Sequence, residues 1–207
     1  MKLYDSLRAP NPRRVRWFLA EKGDPAVEII NVDVFKGEHR TPEYLARAGL
    51  ANVPALEMDD GTTITESVAI CRYLESIFPD PNMFGRDPRE AAVFEMWLRR
   101  TEMMAAGPLM MAVRHSHPAL AALEKQIPEI AESSHVSAGR AMKMLDRRLA
   151  ESEFIAGDRI SMADIVAATS IDFARMAKFR IADDLANAQR WYAAMMARPA
   201  AKAGTSA

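Results

Sequence analysis

The chain has 207 residues and a mass of 23.0 kDa, 49% of it apolar and 27% charged, enough to bury a substantial core in one large or two small domains without covalent staples. Twenty-seven Lys and Arg against 28 Asp and Glu leave a net charge of −1, which argues against a dedicated nucleic-acid binder because phosphate contacts need a basic excess. One cysteine rules out an internal disulfide or a cysteine-rich zinc site, and the lack of an apolar run near about 18 residues, or of a basic-then-apolar leader, predicts a cytoplasmic protein with no membrane span.

Residues 1–80 alternate strand and helix signals, whereas residues 86–200 give helix signals alone. Lys2-Leu3-Tyr4 reads as a short opening strand. A helix follows, with Asn11 as N-cap, Pro12 at the first helical position and Gly23 at the end. Val15, Phe18, Leu19 and Lys22 share one face of it. Val27–Val34 is β-rich with apolar side chains on both faces, as in a covered strand. Thr41-Pro42 opens a short helix running to about Gly49. Ala55–Met58 and Thr62–Ile64 flank Asp59-Asp60-Gly61, a hairpin signal. A further helix from Thr65 to about Phe78 carries Ile70, Leu74 and Ile77 on one stripe. The order β-α-β-α-β-β-α begins with a βαβ unit expected to be right-handed.

Phe78-Pro79-Asp80-Pro81-Asn82 cannot continue a helix and reads as a linker. The spacing then predicts a long helix from Asp87-Pro88 to about Val113, kinked at Gly107-Pro108. Another covers about Glu129–Ala150, with Ala138, Met142, Leu145 and Leu149 inward. Ser161 and Asp164 have capping-box spacing, flanked by Ile160 and Ile165 as a hydrophobic staple. A last helix spans about Asp184–Arg198, with Leu185, Trp191, Tyr192 and Met195 available for packing. The small-residue tail Ala200–Ala207 is expected to fray.

No phosphate loop, C-x-x-C, H-E-x-x-H or G-x-S-x-G occurs. His115 and His117 form the one close histidine pair, and without a third ligand nearby they read as solvated loop residues and not as a metal site. Cys71 falls on an apolar helical stripe and reads as a buried structural thiol. Two helix starts, at Asn11 and at Thr65-Glu66-Ser67, offer free N–H groups and positive dipole ends to anions. Residue chemistry alone leaves open whether they bind a ligand or merely cap. Methionine is the unusual count: 11 of 14 lie after residue 90, and this flexible side chain suits an irregular core or a tolerant apolar surface.

Four stretches, in order, carry a resemblance to a known family. KLYDSLRAPNPRRVRWFLAEKG, KGEHRTPEYLARAGLANVPAL, TITESVAICRYLE and GDRISMADI together resemble the cytosolic glutathione transferases over essentially the whole chain. The resemblance implies an α/β plus all-α fold: a thioredoxin-like domain (1–78), a linker (79–86) and an all-helical domain (87–207), in a homodimer. It implies that the Val53 backbone pairs with the cysteinyl main chain of glutathione ahead of a cis Pro54. Glu66 and Ser67 would then hold the γ-glutamyl end, and His39 would lie near the glycyl carboxylate, its alternative being a solvated loop position.

The thiol-activating position departs from the better-known patterns. Asp5 stands where tyrosine-type members have their tyrosine, with Tyr4 one residue off and facing the other way. Ala9 stands where serine-type members have serine, and Asn11 stands at or near the position of the cysteine in cysteine-type members. Pro10-Asn11 is similar to bacterial and fungal members in which the asparagine donates to the glutathione sulfur, so Asn11 is the expected catalytic residue, ahead of Ser6 and Arg13. Leu7, Trp97, Met103, Met104, Met110 and Met111 are the expected walls of the electrophile site, and most of them would suit a helical core as well. The activity expected is glutathione transfer to apolar electrophiles, with glutathione as co-substrate and no metal. The alternatives are glutathione-dependent reduction of peroxides or disulfides, and a non-catalytic binding protein that keeps the fold.

Overall fold

The computed structural model describes residues 1–7 and 9–203 and divides into two units, each with its own core. The first comprises Met1–Asn82 together with the segment from Pro199; the second is Met83–Arg198. Among the described residues no helix is long and apolar enough to cross a membrane.

In the first unit, β1 (Lys2–Asp5), α1 (Pro10–Glu21), β2 (Glu28–Asn31), α2 (Pro42–Ala48), β3 (Ala55–Glu57), β4 (Thr63–Thr65) and α3 (Ser67–Ile77) follow in order. The sheet runs β2-β1-β3-β4, with β1 parallel to β2 and both other pairings antiparallel. Side chains alternate between its faces. Leu3 and Leu56, both fully buried, share the interior with Val15 and Phe18 of α1 and Ile70 and Leu74 of α3. Tyr4 and Ala55 instead join Val32, Tyr44 and Ala48 in a separate cluster completed by Ile30 and Val53.

Several expectations for this unit need correction. Ala9, not Asn11, is the N-cap of α1. Proline suits any first-turn position because those N–H groups lack helical acceptors, so Pro10 starts the helix earlier and Asn11 becomes its second residue. The predicted strand Val27–Val34 is shortened to β2, because Asp33 Oδ1 accepts from the N–H groups of Phe35 and Lys36 and winds the chain into a 3₁₀ turn. β2 lies at the sheet edge, which leaves Ile29 half exposed instead of covered. Thr65 ends β4 and Glu66 takes the cap position of α3; at the far end of that helix Ile77 is 40% exposed and leaves the inner stripe.

In the second unit, α4 (Pro88–Arg100) and α5 (Gly107–Arg114) are joined by a π-helical segment, Thr101–Ala106. The expected kink at Gly107-Pro108 is thus absorbed one turn earlier. Pro108 has no N–H to donate to Met104, so the ladder slips a register and Gly107 N–H bonds the Glu102 carbonyl. Then come α6 (Pro128–Leu149), α7 (Met162–Ala174) and α8 (Ala186–Ala197). α7 is buried on every side from Met162 to Ile171, as an apolar helix at the centre of a bundle must be. Its start matches the predicted capping box: Asp164 accepts from the Ser161 N–H at 2.9 Å and the Ser161 hydroxyl at 2.6 Å, beside buried Ile160 and Ile165. Of the tail Ala200–Ala207 expected to fray, Ala200, Ala201 and Lys202 belong to a 3₁₀ turn begun at Pro199, and 204–207 lie outside the described residues.

Candidate active site

Sheet register brings several of the predicted segments to one end of the first unit. Tyr4 pairs with Ala55 and Ala55 with Thr65, while Asp5 pairs with Asn31. The segments just beyond those pairs therefore emerge together: Ser6-Leu7 after β1, Val32–Phe35 after β2, Val53-Pro54 before β3 and Glu66-Ser67 after β4. Ser6, Leu7, Asn31, Asp33 and Phe35 line a cleft of about 380 Å³ there.

The backbone at this end is unusual in two places. The Val53–Pro54 peptide is cis, as the resemblance implied. Glu66 sits at φ +67°, a left-handed conformation that costs a non-glycine residue about 1–3 kcal/mol and clusters at ligand sites. It leads straight into Ser67, the first residue of α3 and 5% exposed. Arg14 Nη1 lies 3.5 Å from Ser67 Oγ, linking the second turn of α1 to the start of α3. Asn11, partly exposed, is freed from capping by the shift of the helix start to Pro10.

His39 is not a solvated loop residue. It is 7% exposed within a 3₁₀ turn, and among the described residues its Nδ1 has no partner. Burial first, then the Arg40 charge, pushes its pKa below the usual histidine value and favours the neutral imidazole. The two weaker candidates for the thiol are both buried: Ser6 at 6% exposure, and Arg13 at 8%, with Nη2 on the Ala201 carbonyl at 3.0 Å.

The chain matches the glutathione S-transferase N-terminal domain model over residues 9–77 and the C-terminal domain model over residues 101–199. Glutathione S-transferase 2 of Saccharomyces cerevisiae is 34% identical over 205 residues, covering 98% of this chain and 88% of that one. The crystal structure of a glutathione S-transferase domain-containing protein from Marinobacter aquaeolei superposes with a TM-score of 0.92 at 40% identity, covering 97% of this chain and 99% of that one. That of Gtt2 from Saccharomyces cerevisiae gives 0.91 at 34% identity, covering 99% and 100%. The chain belongs to the cytosolic glutathione transferase superfamily.

The transferase's first unit is accordingly the thioredoxin-like domain, and its second contains the helical domain. Of the expected electrophile walls, Leu7 is 53% exposed beside the cleft of the first unit. Met103 and Met104, 67% and 48% exposed, stand on the π-helical segment of the second. Met110 and Met111 are half-buried on α5. Trp97 is also half-buried, with the guanidinium groups of Arg100 and Arg148 4.9 and 5.3 Å from its ring centroid.

Other histidines and the cysteine have structural work. His115 is buried and its Nδ1 accepts from the Ile127 N–H at 3.1 Å, so it is not the solvated residue expected, while His117, partly exposed on its loop, accepts from the Ala119 N–H at 3.3 Å. Cys71 is fully buried, and burial pushes its thiol far above the ordinary value, in keeping with a structural role.

Several contributors to this sheet end escape the sequence reading. Arg14 and Arg16 are both buried in α1. A signal existed for one of them: Arg14 lies four residues before Phe18 and so falls on the apolar face. No sequence signal marks Glu66 for a positive φ.

Proposed function

We propose that this transferase holds glutathione at the gathered end of its sheet and activates the thiol through the Asn11 carboxamide. The Val53 backbone would pair with the cysteinyl main chain beside Pro54. Ser67, Glu66 and the N-terminus of α3 would receive the γ-glutamyl end, with neutral His39 donating near the glycyl carboxylate. The observation that carries this reading is the position of Asn11. As the second residue of α1 it does not cap the helix, and it stands where the free N–H groups of the first turn concentrate positive potential.

The required stabilisation is modest. A cysteine thiol has a reference pKa of about 8.5. One hydrogen bond to a charged sulfur, with the helix end behind it, is worth roughly 1.5–3 kcal/mol. At about 1.36 kcal/mol per unit, that lowers the thiol by about one to two units and makes thiolate the main form near neutral pH. Asparagine cannot take the proton, which passes to water or to a carboxylate of glutathione itself. The thiolate then attacks a small apolar electrophile, for which exposed Leu7 beside the cleft offers an apolar surface, in a cytoplasmic homodimer.

A pH titration of thiolate absorbance in the glutathione complex tests the assignment. The native protein should show the depressed thiol, and Asn11→Ala should return it toward the free value and slow turnover. An unshifted thiol in the native complex, or unchanged turnover in Asn11→Ala, would remove Asn11 from the chemistry. Product stoichiometry separates conjugation, one glutathione per electrophile, from reduction, which consumes two.

A further inference from the structure

Tyr44 of α2 is 7% exposed, and its hydroxyl donates to the backbone carbonyl of Asn52 at 2.5 Å. That carbonyl and the Val53 N–H belong to one peptide group. The cis bonds among the described residues are Val53–Pro54 and Asp80–Pro81, so the Asn52–Val53 bond is trans. In a planar trans peptide the C=O and N–H vectors point in opposite directions. Anchoring the oxygen on Tyr44 therefore aims the Val53 N–H away from α2.

The loop needs such an anchor. It leaves α2 through Gly49 at φ +72° and reaches the β3 ladder only at Ala55. Pro54 has no N–H with which to fix the neighbouring backbone. Tyr44 itself is held from three sides. Its own N–H bonds Thr41 Oγ1 at 3.2 Å. Its ring meets Tyr4 edge to face at 6.0 Å. Val32, Ala48 and Ala55 close the cluster. Burial raises the phenol to about 12, so the group remains a donor throughout the physiological range.

We propose that Tyr44 is a positioning residue for glutathione: through the Asn52–Val53 peptide it aims the Val53 N–H at the cysteinyl carbonyl. This rests on the glutathione site proposed for the sheet end. Tyr44 acts through the Asn52–Val53 peptide and not on the sulfur, so it governs affinity and leaves the reacting atoms alone. The adjacent Tyr4 supplies the contrast. Its hydroxyl lies in the same cluster but donates to Glu57 Oε2 at 2.8 Å, with Arg47 alongside, and not to the loop.

The test compares glutathione binding by calorimetry, and kcat and KM with an apolar electrophile, for the native protein, Tyr44→Phe and Tyr4→Phe. Loss of one neutral hydrogen bond that orients a binding amide should raise the glutathione Kd and KM of Tyr44→Phe about three- to tenfold. Its kcat and the pKa of the bound thiol should stay within about twofold and a few tenths of a unit of native. Tyr4→Phe should bind within about twofold of native. An unchanged Kd in Tyr44→Phe overturns the proposal, as does an equal loss in Tyr4→Phe, which would mean a merely structural cluster. Absence of binding in the native protein would instead overturn the glutathione site on which the proposal rests. Amide exchange on the native chain gives a reading that needs no variant. Glutathione should slow exchange of the Val53 amide about tenfold or more, and an unprotected Val53 amide in a chain that binds glutathione overturns the proposal.

Discussion

Asp5 and Arg16 form a buried ion pair whose removal should separate the worth of a charge pair from the cost of orphaning one member. Asp5 is 0% exposed at the end of β1 and Arg16 is 6% exposed on α1, with Arg16 Nη1 on Asp5 Oδ2 and Nη2 on the Leu7 carbonyl at 3.1 Å. Burial is the dominant influence on both groups: it pushes the Asp5 carboxyl up and the Arg16 guanidinium down, and their mutual attraction only partly opposes it. A pair in this condition adds little net stability, yet breaking it is costly, because the remaining ion keeps its desolvation and loses its partner. Arg16→Met should therefore destabilise by about 3–5 kcal/mol. At about 2–4 °C per kcal/mol for a chain of this size, Tm falls by about 6–20 °C. Asp5→Leu combined with Arg16→Met should recover most of that loss.

The pH dependence has a defined sign. Arg16 is the main group lowering the Asp5 carboxyl, so in Arg16→Met the folded-state pKa rises further above the unfolded value. A carboxyl raised on folding favours the native state below its unfolded pKa, and that contribution is lost as pH climbs through the folded one. The penalty of Arg16→Met should thus be small near pH 4 and grow toward neutrality. Urea unfolding between pH 4 and 8 reads both effects. A penalty under about 1 kcal/mol at pH 7, or one that grows toward acid, would refute the reasoning, as would a double variant as unstable as the sum of the singles.

Two further outcomes follow from the helical unit. Asp164, fully buried, accepts from the Ile155 N–H at 2.8 Å and from Trp191 Nε1 at 2.9 Å as well as from Ser161. Asp164→Ala strands these donors at about 1–3 kcal/mol each, so chemical unfolding should show a loss of about 3 kcal/mol or more, and a loss below 1 kcal/mol would contradict the bonding. Glu90 is held at about 2 by hydrogen bonds from Arg159 and the Arg86 N–H. A carboxyl depressed on folding contributes above its unfolded pKa and loses that contribution as pH falls through the folded one. Native stability should accordingly decline between about pH 4.5 and pH 2 more steeply than that of Glu90→Gln, and parallel acid-unfolding curves would exclude the contribution.

Local punctuation made much of the fold legible. Thr41-Pro42 and Gly49 bound α2, Asp59-Asp60-Gly61 turns the hairpin, and Ser161 with Asp164 starts α7, each because a few neighbouring atoms decide the outcome. Errors arose where two local signals competed. Pro10 and Pro12 both suit a first turn, and the helix took the earlier one. Asp33 ended β2 against the β-propensity of Val32 and Val34. Expected binding residues were readable only as short family motifs, and sheet register then placed their segments side by side. Their supports were not readable, because Asp5–Arg16, Arg14–Ser67 and Tyr44–Asn52 join residues whose separation in sequence carries no periodic signal.

Those three contacts share a logic. The proposed glutathione site is made largely of main-chain groups: the first turns of α1 and α3 and the Val53 peptide. Main-chain groups cannot be tuned by replacing them, only by changing what holds them. Arg16 ties β1 to the Leu7 carbonyl that precedes α1, Arg14 joins the second turn of α1 to the start of α3, and Tyr44 fixes the Asn52–Val53 peptide. A chain without tyrosine, serine or cysteine at the usual thiol-activating positions can still present a thiolate site if this frame keeps its donors in place. Substitutions in the buried frame should then move glutathione affinity, while substitution of Asn11 moves the thiol pKa. The two parameters become separable because different side chains control them.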